Sequence, residues 1–452
     1  MIFDKILQIY DKYYICSHCL GRMFSLLASQ TTNQKRGESL LLSLTMENHR
    51  AFLSNNNQEQ ETSIINLKLL AEKAKFLPAQ SVLKIEGIEF KIANIDQPCY
   101  LCNNIFLDIE PYGKEGVAFL AEIEFNNFLI GSTPESQIIN REDRFKSEFG
   151  LIEAESFKSH FNRVVGKSLT YKLNKPPEFN NPDLLIIYHI GYDSFNIKLT
   201  IKSLFIFGRY NKLMRGIPQT HWYCQKCMGK GCELCNFTGK QYLISVEELV
   251  NPEFMKESHA TDSKFHGAGR EDIDVRMLGR GRPFILELRN PKIRKLDLLK
   301  IESKTNKGNK KRVRIQNLRY SNKKEVINLK SEAKNTRKVY KSLVLSDGKL
   351  SKEEFNVKLR ELKSSIEDQE IHQRTPNRVS HRRADKIRGK LVYKIDGKYV
   401  KPNLFEFKIQ TQGGTYIKEL INGDNGRTSP SFSEVFKMPL LCKELDVLEI
   451  LI

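Results

Sequence analysis

Eight of the nine cysteines fall into four Cys-x-x-Cys pairs, Cys16/Cys19, Cys99/Cys102, Cys224/Cys227 and Cys232/Cys235, and only Cys442 stands outside them. Two thiolates so spaced can hold one edge of a tetrahedral Zn²⁺, and two such pairs complete it. Disulfides and redox pairs are the alternatives. Residues 1–14 are aromatic, with two Asp balanced by two Lys and no basic stretch leading into an apolar run, and so are not expected to form a signal peptide; four redox pairs in one chain would be unusual. Structural zinc is therefore expected, with one site favoured and a second left open. The third and fourth pairs are separated only by Met228, Gly229, Lys230 and Gly231. That is shorter than the usual ribbon spacing of about 15–20 residues, but two glycines permit the sharp backbone it requires. The first two pairs then meet across a long intervening segment and staple distant chain together. Neither group keeps an open coordination position, which reads as structural and not catalytic.

A chain of 452 residues is long enough for two to four domains with real cores. It has no apolar run of about 18 residues, so no membrane span is expected, and a cytoplasmic protein is the default. Charge is placed unevenly. Residues 1–250 carry 28 Lys and Arg against 27 Asp and Glu, whereas residues 251–452 carry 45 against 27. Nearly all of the positive excess thus sits in the second half, which points to a polyanion such as nucleic acid.

Apolar spacing predicts helices within residues 1–60, through Phe3, Ile6 and Leu7 and again at residues 39–42. Residues 80–210 alternate short strands (82–86, 117–125, 184–189, 195–201) with a helix over 155–165, a mixed α+β pattern. Residues 205–218 read as a connector. Beyond about residue 240, strands at 284–288, 326–329, 340–345, 391–395, 404–411 and 447–452 are separated by basic loops, with a mobile one at 303–311. One helix is clearly announced. Ser351 and Glu354 form a capping box, and Phe355, Leu359, Leu362 and Ile366 follow at helical spacing.

Residues 267–284 carry the chemistry: Glu271, Asp272 and Asp274 lie among four arginines and four glycines. The segment lacks the phosphate-loop pattern, and its carboxylates would repel phosphate. A carboxylate held by arginines stays ionised and is positioned for nucleophilic or base work. A salt-bridge cluster at a strand edge is the plainer alternative.

Gly269-Arg270-Glu271-Asp272 resembles the Gly-Arg-x-Asp element of pseudouridine synthases, and its surroundings resemble the archaeal-type tRNA pseudouridine(54/55) synthase family. Residues 16–24, with the knuckle 99–102, look like that family's N-terminal metal knuckle. Residues 207–219 look like its interdomain motif, residues 373–385 like its basic motif, and residues 413–418 with 423–428 like its second active-site motif. The resemblance implies that Asp272 is the catalytic aspartate acting at the ribose, with Asp274 as a rival. It also implies that Arg270 helps extrude the target nucleotide, that Tyr340 stacks on the flipped uracil, that Tyr416 and Lys418 sit beside the aspartate with the lysine pairing its carboxylate, and that Leu440 forms an apolar wall. On an extended segment, Tyr416 and Lys418 would share a face.

The implied fold class is an α+β multidomain chain. A zinc-stapled, THUMP-containing tRNA-binding domain (1–215) is followed by a four-cysteine connector (216–240), a group that not all relatives share, and a pseudouridine synthase catalytic domain (241–452) with a mixed or antiparallel β-sheet and flanking helices. The implied partner is tRNA, modified at T-arm position 54, 55 or both, with no obligate protein partner evident. Exchanging an N-glycosidic for a C-glycosidic bond on one base involves no net redox change and no group donor, so no cofactor is expected for catalysis. A different THUMP-type tRNA-modifying enzyme would require a glycine-rich cofactor loop or an adenylating phosphate loop, and neither is found. A zinc-stabilised tRNA-binding protein without chemistry is the other alternative.

Overall fold

In the computed structural model, which describes residues 1–92, 96–332 and 336–451, the chain divides into two units, Met1–Lys202 and Ser203–Ile452.

The first unit opens with five helices, α1 (Ile2–Lys12), α2 (Ser17–Met23), α3 (Asn33–Phe52), α4 (Asn57–Glu72) and α5 (Leu77–Ile85). After the second cysteine knuckle come α6 (Glu110–Leu120), β1 (Phe128–Pro134), α7 (Ser136–Glu148), α8 (Phe157–Leu173), β2 (Leu184–Ile190) and β3 (Phe195–Ile201). Strand β2 pairs parallel with β1 and antiparallel with β3. A parallel pair needs a long crossover, and α7 with α8 supplies it. The expected strands at 82–86 and 117–125 are largely helix or turn instead. Pro78 and Pro111 occupy the first turns of α5 and α6, where a missing N–H costs nothing. The buried faces then run at helical spacing, through Ala79 and Leu83 in one and Tyr112, Gly116 and Leu120 in the other.

The second unit contains β4 (Leu204–Lys212), α9 (Val246–Ser258), β5 (Asp262–Gly267), β6 (Arg276–Arg289), α10 (Leu298–Gly308), β7 (Val313–Ser321) and α11 (Lys323–Glu332). It continues with β8 (Arg337–Ser346), α12 (Lys352–Ile366), β9 (Glu370–Arg374), β10 (Ile387–Lys401), β11 (Leu404–Gln412), α13 (Ile417–Asn422), β12 (Thr428–Ser429), α14 (Phe432–Phe436) and β13 (Leu440–Leu451). Among the described residues, ten strands form one sheet in the order β12-β9-β10-β11-β8-β13-β6-β4-β7, with β5 on β6. Its neighbouring pairs are antiparallel except β13 and β6, which run parallel through Asp446–Arg276 and Val447–Met277. Helix α12 begins after Ser351 with the expected capping box, and Phe355 stacks on Phe405 of β11 at 4.7 Å.

Residues 205–210 are not a connector: they are β4, hydrogen-bonded to β6 and β7 on its two sides. The unit boundary therefore lies at 202/203 and not at 215/216, and the cysteine group of residues 216–240 belongs to the second unit. Residues 303–311 are largely helix α10, because Asp297 caps it by accepting from the Lys300 N–H and because Ile301 and Thr305 are buried one turn apart. Residues 326–329 lie in α11, with Val326 and Leu329 buried at a spacing of three. The final expected strand is β13, and its last expected residue, 452, lies outside the described residues.

Helices α2 and α3 cross at two glycines. A Cβ on Gly21 would stand 1.8 Å from the Asn33 carbonyl oxygen, and one on Gly37 would stand 2.0 Å from that of Ser17. Gly37→Ala is expected to destabilise the first unit by about 1–3 kcal/mol, the usual size of an overpacking penalty. Urea unfolding followed by a probe in that unit checks this.

Candidate active site

The loop between β5 and β6 presents Asp272, and buried contacts fix that loop from below. Glu271 is enclosed and accepts from Arg282 Nε at 2.8 Å and from the Tyr210 hydroxyl at 3.0 Å. Arg282 also donates to the Ala268 carbonyl, and Gln219 Nε2 donates to the Gly269 carbonyl and the Tyr210 hydroxyl. Lys212, fully buried, donates to the carbonyls of Ile217, Asp272 and Ile273 at 2.9, 3.0 and 3.1 Å. Gly269 adopts φ +75°, a conformation that favours glycine and lets the chain turn over Arg282. Burial brings the pKa of the Lys212 ammonium down to about 8 even though Glu271 opposes the shift.

Asp272 faces a cavity of about 160 Å³. Its carboxylate pairs with Arg378 Nη1 at 2.9 Å and lies 3.8 Å from Lys418 Nζ. Lys418 makes its short bonds, 2.7 and 2.8 Å, to Asp274. The expected pairing of Lys418 with Asp272 is therefore the weaker of two, and the rival carboxylate holds the lysine. Burial alone would raise the Asp274 carboxyl, but the Lys418 hydrogen bonds outweigh it and hold the group below the usual range. Arg378 turns its Nε to Glu419, which is buried, at 2.6 Å. Burial works against the guanidinium charge, yet the Glu419 hydrogen bond and charge, with those of Asp272, keep it firmly protonated.

Tyr340, on β8, lines the cavity and is 8% exposed; burial pushes the pKa of its hydroxyl up to about 12. Its register partner is Val447 of β13, so the cavity opens at the parallel seam of the sheet. Tyr416 is the N-cap of α13 and Lys418 lies in that helix's first turn, so they do not share an extended segment, although both line the cavity. Gln373 pins Tyr416 by accepting from its N–H and donating to its carbonyl, both at 2.9 Å. Arg383 donates to the Tyr416 hydroxyl at 3.1 Å. Arg270 also lines the cavity, its guanidinium 5.7 Å from the ring centroid of Trp222.

Leu440 is not part of this wall. It sits at the start of β13 opposite Ser346, in the core, and Leu445 and Val447 supply the apolar surface farther along the same strand. Sequence reasoning also passed over Arg378 and Glu419. Arg378 lies inside the basic motif of residues 373–385, which was its one signal; a pairing so remote along the chain leaves no local pattern.

The cysteines form two groups, each with all four sulfurs within 4.8 Å of one another: Cys16, Cys19, Cys99 and Cys102 in the first unit, and Cys224, Cys227, Cys232 and Cys235 in the second. Tetrahedral Zn–S bonds of about 2.3 Å imply S···S edges of about 3.8 Å. Cys16 and Cys102 are 3.7 Å apart; Cys224 and Cys232, and Cys227 and Cys235, are each 3.8 Å apart. Backbone N–H groups aim at the sulfurs, from Cys16 to Cys99 and from Gly231 to Cys227. Gly229 and Gly231 take φ +97° and +90°, the left-handed turns that the short linker requires. Beside the first group, Arg22 is fully buried and pairs with Glu142 at 3.0 Å, and its Nε and Nη2 have no hydrogen-bond partner among the described residues. That placement suits a cation facing a negatively charged metal–tetrathiolate. Both donor sets fit zinc.

A family model described as "Pus10, C-terminal" matches residues 205–451, and one described as "Pus10 THUMP domain, archaeal" matches residues 112–189. Fold and matches together define the class: a THUMP-bearing RNA-modifying isomerase of the pseudouridine synthase type. Curated relatives named tRNA pseudouridine synthase Pus10 align along nearly all of the chain. That of Methanocaldococcus jannaschii is 43% identical over 98% of this chain and 93% of its own. That of Methanothermobacter marburgensis is 37% identical over 99% and 97%, and that of Methanopyrus kandleri 36% over 99% and 98%. The chain belongs to the Pus10 family. Among solved structures, a Cbf5–Nop10–Gar1 complex aligns at 16% identity and a TM-score of 0.28 over 45% of each chain, too loosely to bear on the fold. Among the described residues, no helix is long and apolar enough to cross a membrane.

Elemental analysis should find two metal equivalents per chain, falling to one in Cys102→Ser and in Cys232→Ser; only Cys102→Ser should also lower the melting temperature of the first unit. Arg378→Met should slow single-turnover pseudouridine formation by about 100-fold, the cost of removing one preorganised charge contact, with little change in melting temperature.

Proposed function

We propose that this chain converts uridine to pseudouridine in the T-arm of tRNA, at position 54, 55 or both, with Asp272 as the catalytic aspartate. The observation that carries the reading is a carboxylate paired with Arg378, with Lys418 3.8 Å away, in a cavity that Tyr340 also lines. A target uridine hidden in a folded arm must leave its stack before its sugar can be reached. Tyr340 offers the face on which the extruded uracil stacks, and Tyr416 borders the same space. Arg270, at the exposed rim, enters the gap the nucleotide leaves behind. Asp272 then attacks C1′ or removes the proton at C2′ as the glycosidic bond breaks. Leu445, Val447 and Val275 exclude water from the reacting face.

Arg378 is anchored by Glu419 and holds the Asp272 carboxylate in place. The C-terminal excess of Lys and Arg favours the phosphate backbone, and the THUMP domain holds the tRNA away from the reacting base, in the cytoplasm. The two cysteine groups hold structural zinc, which braces the fold and takes no part in the chemistry.

Asp272→Asn tests the assignment. Pseudouridine formation on an unmodified tRNA transcript, mapped by position, should be lost while filter binding shows tRNA affinity within about twofold of wild type. Undiminished modification by that variant would rule out Asp272 as the catalytic group. A wild-type protein that binds tRNA and modifies nothing would favour a binding module instead.

A further inference from the structure

Among the described residues that line the cavity, Lys338 is a cation to which the reading above gives no role. Lys338 lies on β8 two residues before Tyr340, so both project from one face of the strand; it lines the cavity and is 8% exposed. The neighbouring cations are engaged: Arg282 on Glu271, Arg378 on Asp272 and Glu419, Lys418 on Asp274, Arg383 on the Tyr416 hydroxyl. The Lys338 ammonium makes no hydrogen bond or ion pair with any described residue. A Cβ on Gly269 would stand 3.7 Å from its Nζ, which places the ammonium beneath the loop that carries Asp272. A buried ammonium without a partner is unfavourable. Burial, with Arg282 adding repulsion, brings the pKa of Lys338 down to about 7. Such a group suits a site where a negative charge arrives later.

The charge balance of the proposed reaction supplies that anion. When the C1′–N1 bond breaks, its electron pair leaves with the base. If Asp272 attacks, a carboxylate oxygen forms the new bond to C1′; if it acts as a base, it takes the C2′ proton and a C1′–C2′ double bond forms. Either way one negative charge leaves the carboxylate and appears on the uracil, shared among N1, O2 and O4. When C5 re-bonds to C1′, the carboxylate recovers its charge, and the base exchanges its C5 proton for one on N1.

We propose that the Lys338 ammonium donates a hydrogen bond to a carbonyl oxygen of the uracil stacked on Tyr340 and stabilises the anion formed in the bond-breaking step. This assignment rests on Asp272 being the catalytic carboxylate. An ammonium so placed gains most when charge has developed on the base, which is the condition for raising a rate and not merely tightening binding.

The test compares wild type and Lys338→Met in single turnover on two tRNA transcripts, one with uridine and one with 5-fluorouridine. The fluorinated base is a better leaving group and needs the cation less. Lys338→Met should slow uridine conversion by about 100-fold, comparable to losing one oxyanion donor, and should slow consumption of 5-fluorouridine far less. Its tRNA affinity should stay within about twofold of wild type, and its melting temperature should not fall; Lys338→Gln repeats the comparison should the methionine variant misfold. Wild-type rates on uridine, or an equal penalty on both transcripts, would overturn the assignment. Asp272→Asn run alongside separates the two claims. Undiminished activity in that variant sinks the aspartate reading, whereas a wild-type rate on uridine in Lys338→Met, with Asp272→Asn inactive, sinks only the lysine.

Discussion

The enclosed pair of Glu271 and Arg282 is the constraint on which the candidate site depends. It joins the loop that carries Asp272 to strand β6, and through Tyr210 and Lys212 that loop reaches β4 as well. Burying charge is unfavourable unless it is paired and its remaining hydrogen-bonding capacity is met. Here the carboxylate receives a guanidinium and a hydroxyl, and the guanidinium's second donor finds a carbonyl. Removing either partner would leave the other stranded in the core, a loss of about 3–5 kcal/mol. The loop has little freedom as a result, and Asp272 is held at the mouth of the cavity by its own backbone before any side chain acts on it.

Much of this was legible in the residues. The four Cys-x-x-Cys pairs meet as two four-sulfur clusters, one of them closed over a glycine-rich linker, as their spacing allowed. The capping box at Ser351 marked the start of α12, and the strands expected at 184–189, 195–201 and 404–411 fall within β2, β3 and β11. The failures have common physical causes. Residues 82–86, 117–125 and 326–329 are short apolar runs whose period is ambiguous, and proline placement or tertiary packing decided against strand. Residues 205–218 read as a connector because they run straight on to the cysteine group, yet residues 205–210 are a β-rich run of aromatic and branched residues and form part of β4. At the site, Asp272, Tyr340, Tyr416 and Lys418 line one cavity, as the motifs suggested. Arg378 and Glu419 do not announce themselves, because ion pairs between remote segments leave no periodicity to read, and the apolar wall expected at Leu440 lies farther along the same strand.

The electrostatics of the cavity are arranged in pairs that differ in purpose. Arg378 bridges two carboxylates, Asp272 in the cavity and Glu419 in the core, so its position is fixed from behind. Lys418 is satisfied by Asp274 at short range and reaches Asp272 only at the limit of an ion pair. The Asp272 carboxylate therefore keeps one strong cation and one loose one in the cavity that Tyr340 also lines.

Strand β4 carries a consequence for anyone who divides this chain. Because residues 204–212 run between β6 and β7, a fragment cut at 216 or 241 would discard an interior strand of the larger sheet. It would also lose Tyr210 and Lys212 from beneath the Asp272 loop. Two long strand edges would be bared to water and to each other, the condition under which sheets associate between molecules. A fragment meant to fold as the second unit has to begin at about residue 203, ahead of the point where its own motifs become recognisable.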